Sequence, residues 1–368
     1  KDGYLREPNN YYYYLGTSKE GRYPRLRWEK NRDVKVALDF GLWKDRINGI
    51  VEAYWRKSKD CVTSEYVPVT TGFFNQSYNT SVLQNNGVEF SLSVAVLKSK
   101  DYNLSVSANV AWNQNKLKKY NSPNTSLALD KYVGYPMGAV FSGKYEGIDP
   151  ETGMYKFKLR PDAVTNKDGY LREPNNYYYY LGTSVAPFTG GFNLNFSYKN
   201  IGLSVGGSYS VKAKMVDNIE SPAGYELLSG SKLESIPTPH NDLYRNHLNV
   251  KREVRNRWTP ENRTGVKYPR LIDAYGKKLG LDLTNPTLTT ITRGALLEDI
   301  SYLRINTIAL SYSLPQRVLE RINFSSAALN LTLNNFFTIT KYSGIDPEVP
   351  GATYPVSRSV TIGLNVGF

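Results

Sequence analysis

The sequence predicts an all-β fold, an antiparallel transmembrane β-barrel with about 9–11 strands present. Three observations carry this. Apolar and polar residues alternate strictly along many segments. Very short links alternate with long polar ones. Aromatic residues are abundant, with 30 Tyr, 13 Phe and 5 Trp in 368 residues. Alternation gives a strand one apolar and one polar face, and barrels use aromatic girdles where the wall meets the membrane interfaces.

Taken in order, Val34, Val36, Leu38, Phe40 and Leu42 alternate with Lys35, Ala37, Asp39 and Gly41. Val88, Phe90, Leu92, Val94 and Val96 alternate with Glu89, Ser91, Ser93 and Ala95. Leu104, Val106, Ala108, Val110 and Trp112 alternate with Ser105, Ser107, Asn109 and Ala111. Phe192, Leu194, Phe196 and Tyr198 follow the same rule, as do Leu203, Val205, Tyr209 and Val211. Leu329, Leu331, Leu333, Phe337 and Ile339 repeat it, and Val360, Ile362, Leu364, Val366 and Phe368 end the chain on it. These runs are about 9–13 residues, longer than the usual 5–6 of soluble sandwiches and close to the 9–11 of a tilted membrane strand. The polar face carries Lys, Asp, Glu and Asn, which suit a wet lumen better than a dry core. Between Ala139 and Leu159 the alternation is poor, and Pro315–Asn323 reads as a short helical turn.

The links Trp43–Arg46, Lys98–Asp101 and Lys199–Gly202 are tight. Those from Lys57 to Gly87, Asn113 to Gly138 and Lys212 to Asp299 are long and polar. Barrels place short turns in the periplasm and long loops outside. That parity puts Phe368 on the periplasmic side and the long loop 212–299 on the cell surface. The loop's Trp258, Tyr244, Tyr268 and Tyr275 can stack on ligand rings.

The mean hydropathy of −0.47 is compatible with a barrel. No run of about 18 apolar residues exists, so no transmembrane helix is expected. The net charge of +13 comes from Lys and Arg scattered over loops and strand ends. That points to anionic headgroups of outer-membrane lipids rather than to nucleic acid. The single Cys61 cannot form an intrachain disulfide and reads as an incidental loop thiol.

The segment KDGYLREPNNYYYYLGTS occurs twice unchanged, at Lys1–Ser18 and Lys167–Ser184. A structural repeat would drift and keep a regular period. Residues 1–24 are therefore read as a displaced or duplicated segment outside the wall, with residues 25–368 forming the barrel portion.

Ordered motifs then carry a resemblance. They are LRWEKNRDVKVALDFGLWKDRINGIVEAYWRKSKD from Leu26, NNGVEFSLSV from Asn85, GKYEGIDPETG from Gly143 and YYLGTSVAPFTGGFNLNFSYKNIGLSV from Tyr179. SYLRINTIALSYSLPQRVL from Ser301, LNNFFTITKYSGIDPEV from Leu333 and the terminal VTIGLNVGF complete the set. Together they resemble the SusC-like (RagA-like) TonB-dependent transporters of Bacteroidota. The resemblance implies a barrel of roughly 22 strands, as in large outer-membrane transporters, of which this chain supplies about half. It also implies an N-terminal plug, absent here, through which the TonB–ExbB–ExbD complex supplies energy. The resemblance further implies a SusD-like surface lipoprotein that closes the barrel as a lid, and a cargo of oligosaccharide or, as in some family members, peptide. An open half-barrel would leave unpaired edges in lipid, so the chain reads as a fragment of a multi-pass outer-membrane importer.

Alternating apolar residues ending in Phe368 resemble a barrel assembly signal, formed by Val360, Ile362, Leu364, Val366 and Phe368. Tyr177, Tyr178, Tyr179 and Tyr180 can stack on sugar faces, as can Trp258, or can simply pack a loop. The motifs GIDPETG from Gly147 and GIDPEVPG from Gly344 place acids beside Gly but lack calcium-loop spacing, and read as turns. His240 and His247 make neither a metal site nor a triad on sequence grounds. No enzyme activity, cofactor or metal is expected. Other readings from different classes are an autotransporter translocator, a surface barrel enzyme and a soluble carbohydrate-binding sandwich.

Overall fold

The computed structural model describes residues 26–67, 70, 75–121, 132–151, 153, 155–163, 176–216, 255–268, 293–350 and 354–368. The first copy of the duplicated segment, all of residues 1–24, His240 and His247 lie outside them. The chain divides into two compact units, Lys1–Val96 with Ser105–Met137, and Leu97–Leu104 with Gly138–Phe368.

The first unit is an antiparallel meander of β1 (Lys30–Leu42), β2 (Ile47–Tyr66), β3 (Asn75–Lys98) and β4 (Tyr102–Tyr120). β1 and β2 pair without a slip from Lys30↔Lys59 to Leu42↔Ile47. The register puts Val34 opposite Trp55, Val36 opposite Ala53 and Leu38 opposite Val51, so one face is apolar across both strands. The other face is charged and internally paired. Lys35 Nζ lies 2.5 Å from Glu52, and Arg56 lies 2.9 Å from Asp33. Farther round that face, the Asn115 amide donates to Asn85 (2.8 Å). The turn after β1 places Trp43, Lys44 and Asp45 in left-handed conformations at φ 54–60°, and Asn48 Nδ2 donates to the Asp45 carbonyl (2.8 Å).

β2, β3 and β4 are longer than the sequence suggests, at 20, 24 and 19 residues. Much of the expected link from Lys57 to Gly87 is paired strand, since the ladder runs from Ile47↔Val94 out to Tyr66↔Asn75. The physical reason is that alternation fades once both faces are mostly polar, while backbone pairing continues. Cys61, expected in a loop, accordingly sits buried within β2.

Gly87 illustrates a close approach. The ring of Tyr54 lies across it, so a side chain there would overlap the phenol. The same Tyr54 hydroxyl donates to Asn113 Oδ1 (3.2 Å). Gly87→Val is therefore expected to push Tyr54 off its rotamer and cost about 1–3 kcal/mol, the usual range for overpacking. Urea midpoints of the refolded full-length protein check this, and a midpoint matching wild type would refute the packing argument.

The second unit holds β5 (Ala139–Gly143), β6 (Tyr145–Ile148), β7 (Tyr155–Phe157), β8 (Tyr178–Thr183), β9 (Phe188–Tyr198), β10 (Ile201–Val211), β11 (Lys214–Val216) and β12 (Leu297–Asp299). It continues with β13 (Tyr302–Ser313), α1 (Gln316–Arg321), β14 (Ser326–Thr340) and β15 (Ser359–Gly367). β9, β10, β13, β14 and β15 pair in that order. Their registers align Phe196, Leu203, Leu310, Leu331 and Ile362 across one face. One residue away, Asn195, Ser204, Ala309, Thr332 and Thr361 align on the other. Exposed or half-exposed apolar side chains on one face and mostly hydroxyls and amides on the other are the pattern of a barrel wall in lipid.

Nine long wall strands are present among the described residues, four in the first unit and five in the second. The stretch from Ala139 to Leu159, where alternation is poor, is not wall. It forms short pieces, with β5 pairing β8 and β6 pairing β7. The expected helical turn is α1, whose Leu319 is buried. Among the described residues no helix is long and apolar enough to cross a membrane.

Candidate functional site

The wall strands of the second unit end, on the edge away from the tight turn at Lys199 and Asn200, in a knot of short elements. β11 and β12 zip the base of the 212–299 loop through Lys214↔Asp299, Met215↔Glu298 and Val216↔Leu297. Ala213, Ile300 and Tyr342 form a small buried cluster beneath this ladder. The Ser343 N–H and hydroxyl both donate to Glu298, at 2.9 and 2.5 Å. A turn of 3-10 helix at Arg293–Leu296 packs its Gly294 directly against the Gly143 carbonyl, where no side chain fits.

Three adjacent wall strands carry irregularities at one level below this knot. The registers slip between Gly206 and Gly207 and between Ile305 and Thr307, and Asn335 is left-handed at φ 60°. Bulges re-aim neighbouring side chains. Here Arg304 lies on the polar face, beside Thr338, whose hydroxyl accepts from Nε (3.2 Å). Its two terminal nitrogens reach Asp346 and Glu348, each at 2.5 Å. Asp346 also accepts from the N–H groups of Glu348 (2.9 Å) and Val356 (3.3 Å). Arg304 and Asp346 are each only 4% exposed. Burial opposes the Asp346 charge, but the Glu348 N–H, the Arg304 guanidinium and the Val356 N–H outweigh it and hold the carboxyl below its usual range. The acids of GIDPEVPG thus tie the 341–358 loop to the wall. Sequence reading missed Arg304. The available signal was a lone Arg on the polar side of an otherwise uncharged strand, with two acids in a separate motif.

The other acidic motif is a turn whose Asp149 caps itself. Asp149 Oδ1 accepts from the Glu151 N–H (2.8 Å), and the Asp149 carbonyl accepts from the Gly153 N–H (2.8 Å). Trp258 docks on it, donating its indole N–H to the Pro150 carbonyl (2.9 Å), and is 8% exposed. Nearby, Tyr145, Tyr155 and Phe157 form an aromatic triad with centroids 5.5–6.3 Å apart. Burial, then Tyr145 and Tyr268, pushes the Tyr155 phenol well above its ordinary value, so it is neutral at any physiological pH.

The tyrosine run is spread over several roles. Tyr179 donates its hydroxyl to the Leu159 carbonyl (2.8 Å), and Tyr180 stacks at a tilt on Phe141 (5.8 Å) while staying 41% exposed. Tyr177 and Tyr178 are half-buried. Tyr180 and Trp258 are not brought to a common exposed surface, since Trp258 is spent on packing. The terminal residues are out of this knot. Val360, Ile362 and Leu364 are 57%, 72% and 66% exposed on the apolar face, in line with Val366. Phe368 is 92% exposed and meets Phe324 edge-on (5.1 Å, 87°). Among the described residues no group of three or more His, Cys, Asp or Glu is placed to hold a metal ion.

No family model matches the chain. Among curated proteins it is 25% identical to the TonB-dependent receptor P26 of Formosa agariphila, over 94% of the chain and 35% of the relative. It is also 25% identical to the TonB-dependent receptor SusC of Bacteroides thetaiotaomicron, over 99% of the chain and 34% of that protein. Among solved structures it is similar to the RagAB peptide transporter, at 26% identity and a TM-score of 0.70, over 93% of the chain and 36% of that chain. The closed-closed state of the RagAB peptide importer gives a TM-score of 0.73. The chain spans about a third of the length of these relatives, at 34–36%. It is similar along nearly its whole length to SusC-like TonB-dependent receptors and has the fold of an outer-membrane β-barrel wall. The relatives are receptors and transporters, not enzymes.

Proposed function

We propose that this chain is the C-terminal part of the barrel of a TonB-dependent outer-membrane importer of large nutrients. The single observation that carries the reading is the structural likeness of 93–94% of this chain to about a third of the RagAB peptide importer chain, on a wall with one apolar and one polar face. The cargo class is oligosaccharide or peptide, and a SusD-like lipoprotein covers the long-loop edge. Energy arrives from TonB–ExbB–ExbD through the plug of the whole protein. The tight turns face the periplasm. The 212–299 loop lies on the cell surface, where the exposed ring of Tyr180 is the better placed of the candidate stacking residues.

An epitope inserted near Pro260 in the full-length protein tests this orientation. It is expected to bind antibody on intact cells, and the protein is expected to co-purify with a surface lipoprotein. An epitope reached only after the outer membrane is opened would overturn the topology. Loss of neither peptide nor oligosaccharide uptake on deleting the gene would overturn the transport reading.

A further inference from the structure

The first unit carries an unbalanced charge pattern that its own fold does not explain. β1 and β2 pair without a slip through thirteen positions, so faces can be assigned by parity alone. On the polar face the cross-strand pairs are complementary, with Asp33 opposite Arg56 and Lys35 close to Glu52. On the apolar face, the same ladder continues outward from Val34↔Trp55 to Arg32↔Lys57 and then Lys30↔Lys59. Like charges directly opposite each other destabilise a strand pair. Here two such pairs stand in succession. Of these four cations, Lys30 alone bridges a carboxylate among the described residues, Asp60 (3.9 Å), which Arg27 shares (3.6 Å). Arg32, Lys57 and Lys59 form no ion pair with a described residue.

Their height on the wall is informative. The apolar ladder from Val34 to Leu42 spans about 27 Å of strand at about 3.4 Å per residue. At a tilt of about 40° that is roughly 21 Å of depth, close to the apolar band of a barrel. Tryptophans bracket it, with Trp55 at the upper end opposite Val34 and the exposed Trp43 just past Leu42. Trp marks the membrane interface. The four cations therefore begin one position beyond the interface, on the face that touches lipid, at the long-loop edge. That is where headgroup phosphates lie.

We propose that Lys30, Arg32, Lys57 and Lys59 form a docking site for the phosphate groups of a phosphorylated lipid in the outer leaflet. The inference rests on the orientation proposed above. A phosphate between the strands supplies the anion that Arg32, Lys57 and Lys59 lack, and Arg32 can grip it bidentately. The lipid's acyl chains would then lie along Val34, Val36 and Leu38 of the same ladder.

The test uses the full-length protein in phosphatidylcholine nanodiscs containing either phosphorylated lipid A or the same lipid A stripped of phosphate. Lipid A retained per protein after a detergent wash is counted by mass spectrometry. Wild type is expected to retain the phosphorylated lipid and release the stripped one. Arg32→Gln and Lys57→Gln are each expected to weaken retention about fivefold, and roughly 25-fold together, from about 1 kcal/mol per cation at an anionic surface. Lys44→Gln, at the tight-turn end, is expected to leave retention unchanged. Equal retention of the two lipids by wild type would overturn the proposal even if the variants fail to assemble. Displacement by millimolar inorganic phosphate would overturn the lipid as occupant in favour of the free ion. The Pro260 epitope reports the orientation separately, so a surface-exposed epitope with no lipid preference defeats this inference alone.

Discussion

Replacing Arg304 with leucine is expected to destabilise the folded wall by about 3–5 kcal/mol, the range for removing one partner of a buried ion pair. Asp346 would be left 4% exposed with no cation beside it. Glu348 adds less, because its side chain is 45% exposed and water screens it. The loss should fall on the 341–358 loop first, since Asp346 also holds the Val356 N–H there. Adding Asp346→Asn to Arg304→Leu is expected to recover part of the loss, because the amide oxygen still accepts the Glu348 N–H without a buried charge. Heat-modifiable mobility and urea midpoints of the full-length protein measure both variants. Equal midpoints for wild type and Arg304→Leu would show that the latch contributes nothing.

The latch also has a defined pH response. The folded-state pKa of Asp346 is depressed, so its contribution is fully present above the ordinary carboxylate pKa of about 4. It is lost only as pH falls through the depressed folded value. Protease sensitivity of the 341–358 loop should therefore be flat across neutral pH and rise only in strong acid.

The terminal strand carries the second large effect. Ile362 stands at the centre of β15, 72% exposed on the apolar face and opposite Leu331. Ile362→Arg is expected to cost about 2–4 kcal/mol if that face meets the bilayer midplane. Thr361→Arg, on the polar face beside Thr332, is expected to cost much less. Deleting Phe368 is expected to lower the outer-membrane level severalfold, by removing the aromatic end of the ladder and its contact with Phe324. Abundance in isolated outer membranes checks all three. If Ile362→Arg and Thr361→Arg behaved alike, the assignment of faces would be wrong, and normal abundance without Phe368 would remove the assembly role.

What the sequence by itself determined was most of the wall strands whose two faces differ in polarity. β1, the inner half of β3, β4, β9, β10, β14 and β15 alternate because one side of each meets lipid, and a period of two is a local property that needs no knowledge of neighbours. The same local logic placed α1, since Pro315 and the run after it start a helix without outside help. Tertiary structure alone decided three other matters. The outer halves of β2 and β3 are mostly polar and do not alternate cleanly, so only their pairing with each other, from Ser58↔Leu83 out to Tyr66↔Asn75, makes them strands. The burial of Trp258 depends on Pro150, a partner 108 residues away. The bulges at Gly206, Asn306 and Asn335 turn Arg304 towards acids 42 and 44 positions later, and a register slip leaves no mark in the alternation until the neighbouring strand is known. Local polarity is written residue by residue, whereas these contacts exist only once chain entropy has been spent to bring distant segments together.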